Sequence, residues 1–289
     1  MKITIFTPTY NRAKLLKRLY ESLIQQTNKN FIWLIVDDGS TDNTEQQVNE
    51  WLKEEEIKIE YHKQQNSGKS MAHNWGVELT STELFTCVDS DDYLENNAVE
   101  EVVNFWEHSK KNYTGILCFR KELGSKNMNP QKKFIRKNVE CTKLRDAYEK
   151  HSLYGDTMLI FKTDILKKYK FPVFQGESFV PEAYLYDLVD QEGELLVLNK
   201  YLYNCEYQES GYTNNMSKLL KSNPKGYCSY INQRLKFDRK FVYRFKDSIR
   251  YIAIRLTYDK KGIIREAVYS KIALLAYPFG YLLYLKKYR

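Results

Sequence analysis

Three carboxylates stand within four consecutive positions of this chain: Asp89, Asp91 and Asp92 of the stretch DSDD. They follow directly on the apolar run Leu84–Val88, which reads as a buried strand. Like charges repel more strongly where a strand end withdraws them from water, so the spacing calls for a cation at that point. Asp89 and Asp91, two apart on extended backbone, share a side. Their oxygens suit a hard divalent ion, Mg²⁺ or Mn²⁺, together with the phosphates such an ion carries. A turn leading into a helix uses the same residue types, but three acids straight after a core strand weigh toward the cation.

Three more polar clusters precede this one. In VDDGSTDNT, Asp37, Asp38 and Ser40 taken alone describe a tight turn and a helix cap, and the functional alternative is a carboxylate accepting the imide N–H of a uracil-like base. In TPTYNR, Thr7 and Pro8 suit a strand end, while Tyr10 is a ring on which a base can stack. NSGKSMAHNWG is more specific, because Asn66 to Gly68 permits close backbone approach and Lys69 starts a helix whose N-terminus favours phosphate. It lacks the spacing of a Walker loop. His73 lies in the same segment, where a lone histidine on a helix is usually structural.

The elements that must position these clusters alternate. Ile3–Phe6, Phe31–Val36, Ile57–Tyr61 and Leu84–Val88 read as strands. Helices are expected through Leu15, Leu16, Leu19 and Leu23, through Val48, Trp51 and Leu52 with Ser40 or Thr41 as cap, from Ser70 to Leu79, and from Ala98 to Trp106. Repeated strand and helix units imply right-handed crossovers and a mostly parallel α/β sheet, in which ligands sit at the carboxyl ends of the strands. Each of the four clusters follows one of the four strands, so all should meet on one edge. Farther on, residues 115–120 and 157–161 read as strands, GSKNMNPQKKFIRKN as a loop, and ELLVLNKYLYNCEY as another strand.

The ordered set TPTYNR, VDDGSTDNT, NSGKSMAHNWG and DSDD resembles the family 2 glycosyltransferases of GT-A fold, over about the first 105 residues. The resemblance implies an inverting transferase that binds a nucleotide-sugar. Thr7, Pro8 and Tyr10 would line the base pocket, with Asp38 at the uracil and Lys69 near base and phosphates. Asp89 would lie beside the ribose and donor sugar, and Asp91 would hold the metal bridging the diphosphate, with Asp92 behind it. FPVFQGESFVPEAYLYDLV is similar to the acceptor-side segment of bacterial polysaccharide members, although the Glu-Asp pair common there is missing. Glu182 falls on the base position and Glu177 is the second choice; either taken separately also suits an acidic helix N-terminus. Asp156 is a candidate for acceptor hydroxyls. The implied donor is a UDP-sugar, and the implied acceptor is a lipid-linked or surface polysaccharide glycan.

Bulk properties frame this reading. Of 289 residues, 43% are hydrophobic and 15% aromatic, with 24 Tyr, which suits a folded chain rich in amphipathic rings. Five Cys without CxxC spacing suggest neither a disulfide framework nor a zinc cluster and fit a reducing, cytoplasmic setting. MKITIFTPTY enters a strand pattern with no apolar leader. Residues 218–289 hold 18 Lys and Arg against 4 Asp and Glu, leaving 27 against 33 in residues 1–217. The expected domains are therefore a transferase body, 1–217, with a nucleotide-sugar half (1–110) and an acceptor half (111–217), and a basic helical region, 218–289. In that region the apolar run Ile272–Leu285, 14 residues broken by Pro278 and Gly280, is shorter than the ~20 needed to span a bilayer. An in-plane helix on an anionic membrane face fits it, and packing on the body or in a homo-oligomer is the alternative. A nucleotidyltransferase would use similar carboxylates, but with a Gly-rich loop after the first strand. Nucleic-acid binding by the tail is disfavoured because Leu, Ile and Tyr interleave its charges at helical spacing.

Overall fold

A computed structural model describes residues 1–109, 112–123, 139–153, 155–206, 212–237 and 240–289, with backbone only for 212–215. The Lys- and Asn-rich segment expected as a loop, 124–138, lies outside the described residues. The chain divides into two compact units, the first made of Met1–Lys170 and Leu185–Tyr207, the second of Phe171–Tyr184 and Gln208–Arg289.

The first unit begins with the expected alternation: β1 (Ile3–Thr9), α1 (Ala13–Ile24), β2 (Phe31–Asp37), α2 (Thr44–Glu54), β3 (Ile59–Lys63), α3 (Lys69–Leu79) and β4 (Leu84–Cys87). Every residue of β1 and β2 is buried, as strands covered on both faces require. Helix α1 turns Leu16, Leu19 and Leu23 into the core at helical spacing. Stacking of Tyr20 on Trp51, with centroids 4.3 Å apart, and the approach of Trp51 to Trp33 at 5.6 Å lock α1, α2 and β2 together.

Strands β3, β2, β1 and β4 lie side by side and parallel, in registers that include Trp33↔Ile59, Ile3↔Phe31 and Ile3↔Leu84. Their carboxyl ends therefore share one edge. The third strand starts two residues later than the sequence pattern suggests, because its pairing with β2 begins at Ile59. Beyond β4 the sheet is mixed. The later elements are β5 (Tyr93–Leu94), α4 (Ala98–Glu107), β6 (Gly115–Glu122), β7 (Cys141–Thr142), α5 (Leu144–Glu149), β8 (Thr157–Lys162), α6 (Thr163–Leu166), α7 (Ala183–Glu192) and β9 (Leu195–Cys205). Strand β8 runs antiparallel to both β4 and β6, β9 runs parallel to β6, and β5 and β7 pair antiparallel with β9.

The expected caps of α2 are replaced. The Ser40 hydroxyl instead accepts the Asn11 N–H, and Asp42 accepts the Thr44 N–H at 3.0 Å, so the helix opens at Thr44.

The second unit contains α8 (Tyr212–Ser222), α9 (Pro224–Lys236), α10 (Phe241–Tyr258) and α11 (Ser270–Lys287). Ile231, Leu235, Tyr251, Ile252, Ile254, Ala273 and Ala276 form its core. Buried charges are paired: Asp247 with Arg234 and Arg250, Arg255 with Glu266 and Asp259. Helix α11 continues through Pro278, where the sequence suggested a break. Small residues explain the close packing there, since a Cβ on Gly280 would lie 2.6 Å from Cβ of Ile252 on α10. The opposite face of α11 leaves Leu274, Leu275, Phe279 and Leu282 exposed. Among the described residues no helix is long and apolar enough to cross a membrane. None of the five cysteines is joined in a disulfide among the described residues.

Gly76 tests how tightly α3 sits on the sheet. A Cβ there would fall 2.3 Å from the Phe6 ring, which is fully buried and stacked on Phe85. Alanine favours a helix interior by about 1 kcal/mol over glycine, whereas overpacking costs ~1–3 kcal/mol. Gly76→Ala is therefore expected to lower the urea midpoint; an unchanged or higher midpoint would show that Phe6 has room to move.

Candidate active site

The loops after β1 and β2 are joined before any ligand is considered. Asn11 adopts a left-handed backbone, φ 51°, which asparagine tolerates better than most residues. Its side-chain oxygen accepts the Thr41 N–H at 2.8 Å, and its own N–H donates to the Ser40 hydroxyl at 2.9 Å. Asp42 accepts the Ala13 N–H at the start of α1. TPTYNR and DDGSTD thus form one rigid rim.

Asp38, buried in that rim, receives the third loop. Its carboxylate accepts the Gln64 side-chain amide at 2.7 Å, the Ser67 N–H at 2.8 Å and the Gly68 N–H at 2.8 Å. Gly68 is at φ 90°, a conformation natural only to glycine. A carboxylate offers about four acceptor sites, so one remains, which is the capacity needed for a single further N–H. Asp37 is wholly structural, accepting the Ser40 N–H and the Tyr61 hydroxyl. Pro8 is buried and Tyr10 exposed at the end of β1. The Thr7 side chain turns into the core and accepts the Trp33 indole N–H at 3.0 Å. Thr9, also buried, keeps a hydroxyl oxygen with no hydrogen-bond partner among the described residues. His73 packs edge-on against both Phe6 and Phe85, a core position.

The acidic turn after β4 meets its cations here. Lys69, first residue of α3, donates to Asp89 Oδ1 at 2.5 Å. Arg12 Nη1 lies 2.9 Å from Asp91 Oδ2. Arg18, one and a half turns into α1, donates to the Asp91 backbone carbonyl and pairs with Glu206. From beneath, the Tyr203 hydroxyl of β9 accepts the Asp89 N–H at 3.1 Å and donates to Asp92 Oδ2 at 2.6 Å, while Arg120 of β6 lies over its ring at 4.1 Å. Burial alone would push the Asp89 carboxyl up, but Lys69, Arg120 and Arg12 outweigh it and hold it below the ordinary carboxylate range. For Asp92 the balance goes the other way: burial first, then the charge of Asp89, push it up to about 7 against the opposing pull of the Tyr203 hydroxyl and Arg120. Arg12, Arg18, Arg120 and Tyr203 were not singled out from the sequence. The one available signal was that three acids require cations, without saying which.

Of the other expected site residues, Asp156 is exposed just before β8. The antiparallel registers Thr86↔Ile160 and Phe119↔Thr157 bring the start of β8 to the edge where β4 and β6 end, so Asp156 shares that edge. Glu177 and Glu182 belong to the second unit. Glu177 accepts the Lys225 and Gly226 N–H groups at the N-terminus of α9, at 2.9 and 2.8 Å, which occupies it as a helix cap. Glu182 stands immediately before α7, partly exposed.

Among the described residues no three His, Cys, Asp or Glu side chains converge into a metal cage. The donor chemistry nevertheless fits a hard divalent ion held by one carboxylate with phosphate and water completing its shell. Asp91 Oδ2 already faces a positive charge, the Arg12 guanidinium, as Asp89 Oδ1 faces Lys69, and in the described contacts neither side chain is claimed by a backbone N–H or a hydroxyl, unlike that of Asp92.

The shift at Asp92 sets a pH dependence with a definite sign. Between the ordinary carboxyl value of 3.8 and about 7, the folded state holds a proton that the unfolded chain releases, so this group's contribution to stability falls as pH rises through that window. Asp92→Asn removes the effect. In urea unfolding without metal or nucleotide, the stability of the variant relative to wild type should climb from pH 4 to pH 7. A flat difference would place the Asp92 carboxyl at its ordinary value.

Comparison with known proteins bears on the whole arrangement. The chain is 40% identical over 99 residues to the glycosyltransferase GlyA of Streptococcus pneumoniae, a match covering 34% of this chain and 14% of that protein. It is 26% identical over 174 residues to the GalNAc(5)-diNAcBac-PP-undecaprenol β-1,3-glucosyltransferase of Campylobacter jejuni, covering 59% of this chain and 54% of that one. The chain thus spans well under two thirds of these relatives. Among solved structures, S. aureus TarS 1–349 with UDP-GlcNAc superposes with a TM-score of 0.63 at 18% identity, over 96% of this chain and 79% of TarS, a likeness of fold. The family model described as glycosyl transferase family 2 matches residues 4–170, more than half of the chain and all four strand-end clusters. The α/β sheet with its polar edge therefore belongs to a family 2 glycosyltransferase of GT-A fold.

Proposed function

We propose that this glycosyltransferase moves a sugar from a UDP-activated donor, with inversion and with a divalent metal, to a lipid-linked or cell-surface glycan. The reading rests above all on Asp38, Lys69, Asp89 and Asp91 standing on one sheet edge, each at the end of a strand or the start of the helix after it. The UDP donor is supported by the TarS complex of like fold, and the lipid-linked acceptor by the name of the Campylobacter relative.

In this reading Asp38 gives its remaining acceptor site to the uracil imide, Pro8 and Tyr10 border the base, and Thr7 supports them from the core side. Asp89 lies beside the ribose and donor sugar, and Asp91 holds the metal, Mn²⁺ or Mg²⁺. The bound ion supplies charge stabilisation for the diphosphate as it leaves. Lys69 adds a cation on the same side and exchanges Asp89 for phosphate oxygen as negative charge develops. Glu182 removes the proton of the attacking acceptor hydroxyl on the opposite face of the sugar, since Glu177 is committed to capping α9. Asp156 meets acceptor hydroxyls.

The basic helical region, 218–289, serves in this reading as attachment to an anionic cytoplasmic membrane surface. The exposed Leu274, Leu275, Phe279 and Leu282 of α11 lie between Lys271 and the pair Lys286 and Lys287, the pattern of a helix lying in the membrane plane.

Three measurements test these assignments. Asp91→Asn is expected to reduce metal-dependent donor turnover on the order of 10²-fold or more with the fold intact, and wild-type turnover would remove the metal assignment. Glu182→Gln should lower transfer by ~10²–10⁴-fold while UDP affinity stays; the same loss from Glu177→Gln instead would reassign the base. For the tail, Leu275 and Leu282 are 63% and 62% exposed, so changing both to Ser spares the core. That variant should bind vesicles containing anionic lipid at least about tenfold more weakly, from the 1.5–3 kcal/mol that burial of one leucine is worth. Undiminished binding would leave α11 to packing or assembly.

A further inference from the structure

The acidic turn is neutralised from within, and each neutralising group comes from a different segment. Lys69 answers Asp89 at 2.5 Å, and Arg12 answers Asp91 at 2.9 Å. Arg12 differs from Lys69 in where it stands. It is the N-cap of α1, its carbonyl accepts the Leu15 and Leu16 N–H groups, and it follows the left-handed Asn11 that ties the first two loops together. Its backbone is therefore fixed, and its side chain, 31% exposed, is the movable part. The Asp91 side chain is only 15% exposed, so a guanidinium and a second cation cannot both approach Oδ2 freely.

We propose that Arg12 is an internal counter-cation that holds Asp91 closed to metal until the donor arrives. Resting on the assignment of Asp91 as metal ligand, this makes metal binding a displacement: the ion takes Oδ2 and the guanidinium leaves it. An arginine released beside a diphosphate finds a better partner there, because its planar donors engage phosphate oxygens in pairs. The donor thus supplies the anion that compensates the lost ion pair, and metal and nucleotide bind cooperatively. By thermodynamic reciprocity each raises the affinity for the other by the same factor. Without nucleotide the free enzyme does not sequester divalent ions, and the site assembles only around the substrate. Arg12 acts here as a positioning residue, with no role in bond making.

Mn²⁺ binding followed by the loss of the free-ion paramagnetic resonance signal, with and without UDP, reads this directly and needs no turnover. In wild type, UDP should tighten Mn²⁺ binding on the order of 10–100-fold, within the usual range of coupling between sites. Arg12→Gln should tighten binding of Mn²⁺ alone by about fivefold or more and shrink the UDP effect by at least that factor. Arg12→Lys keeps the charge at the helix start, so it holds the fold whatever becomes of the neutral variant, and should fall between the two. Asp91→Asn separates the possible failures. If it leaves Mn²⁺ binding intact, the metal assignment itself falls. If it abolishes Mn²⁺ binding while Arg12→Gln, or Arg12→Lys should the former not fold, leaves both the affinity for Mn²⁺ alone and the UDP effect at wild-type values, the metal assignment stands and the displacement by Arg12 is overturned.

Discussion

Three carboxylates at the end of a core strand are tolerable only if their charge is answered, and the first unit is built so that it is. Asp89 has Lys69, Asp91 has Arg12, and Asp92, without a cation of its own, keeps a proton to near neutral pH while bonded to Tyr203. Each answer has a different physical character: an ammonium at a helix start, a guanidinium on a helix cap, and protonation driven by burial. Remove the acids and these groups lose their reason to converge; remove the groups and the turn would repel itself. The central constraint is electrostatic, and the sheet is the frame that makes it local.

That frame works because parallel strands put their carboxyl ends together. The rim formed by Asn11, Ser40, Thr41 and Asp42 fixes the first two loops, and Asp38 gathers the third by accepting N–H groups from Ser67 and Gly68. Helix α1 then links rim and acidic turn, since Arg12 reaches the Asp91 side chain while Arg18 holds its carbonyl. A loop network satisfied this fully leaves little freedom for the donor to rearrange. The parts free to respond are long side chains, chiefly Arg12 and Lys69.

Much of this was readable in the amino-acid order. The alternation of strand and helix over the first hundred residues, the meeting of four clusters on one edge and the acidic turn all follow from local patterns. The partners of the turn did not, because Asp91 and Arg12, Asp89 and Lys69, and Asp92 and Tyr203 are separated by 79, 20 and 111 residues of sequence. No local period records such pairings; the need for a cation was visible, its identity was not. The caps of α2 were misplaced because Ser40 had a competing partner in another loop, Asn11, and Thr7 faced inward because Trp33 offered an indole N–H across the β1–β2 pair. Pro278 suggested a break in α11 that packing overrode, since Ala273, Ala276 and Gly280 seat that helix closely against α10. Glu177 read as well for a base as for a cap, and the N–H groups of α9 that it accepts lie 48 and 49 residues away, beyond any local pattern.

The central claim is that the acids closing β4 hold a divalent ion against the donor diphosphate. A crystal of this protein grown with UDP and Mn²⁺, measured at an X-ray energy where manganese scatters anomalously, addresses it most directly. The account predicts one anomalous peak bonded to Asp91 and to both phosphates of the nucleotide, with the Arg12 guanidinium moved off the carboxylate. A nucleotide bound on this edge with no manganese at Asp91, or UDP bound at another face of the protein, would contradict it.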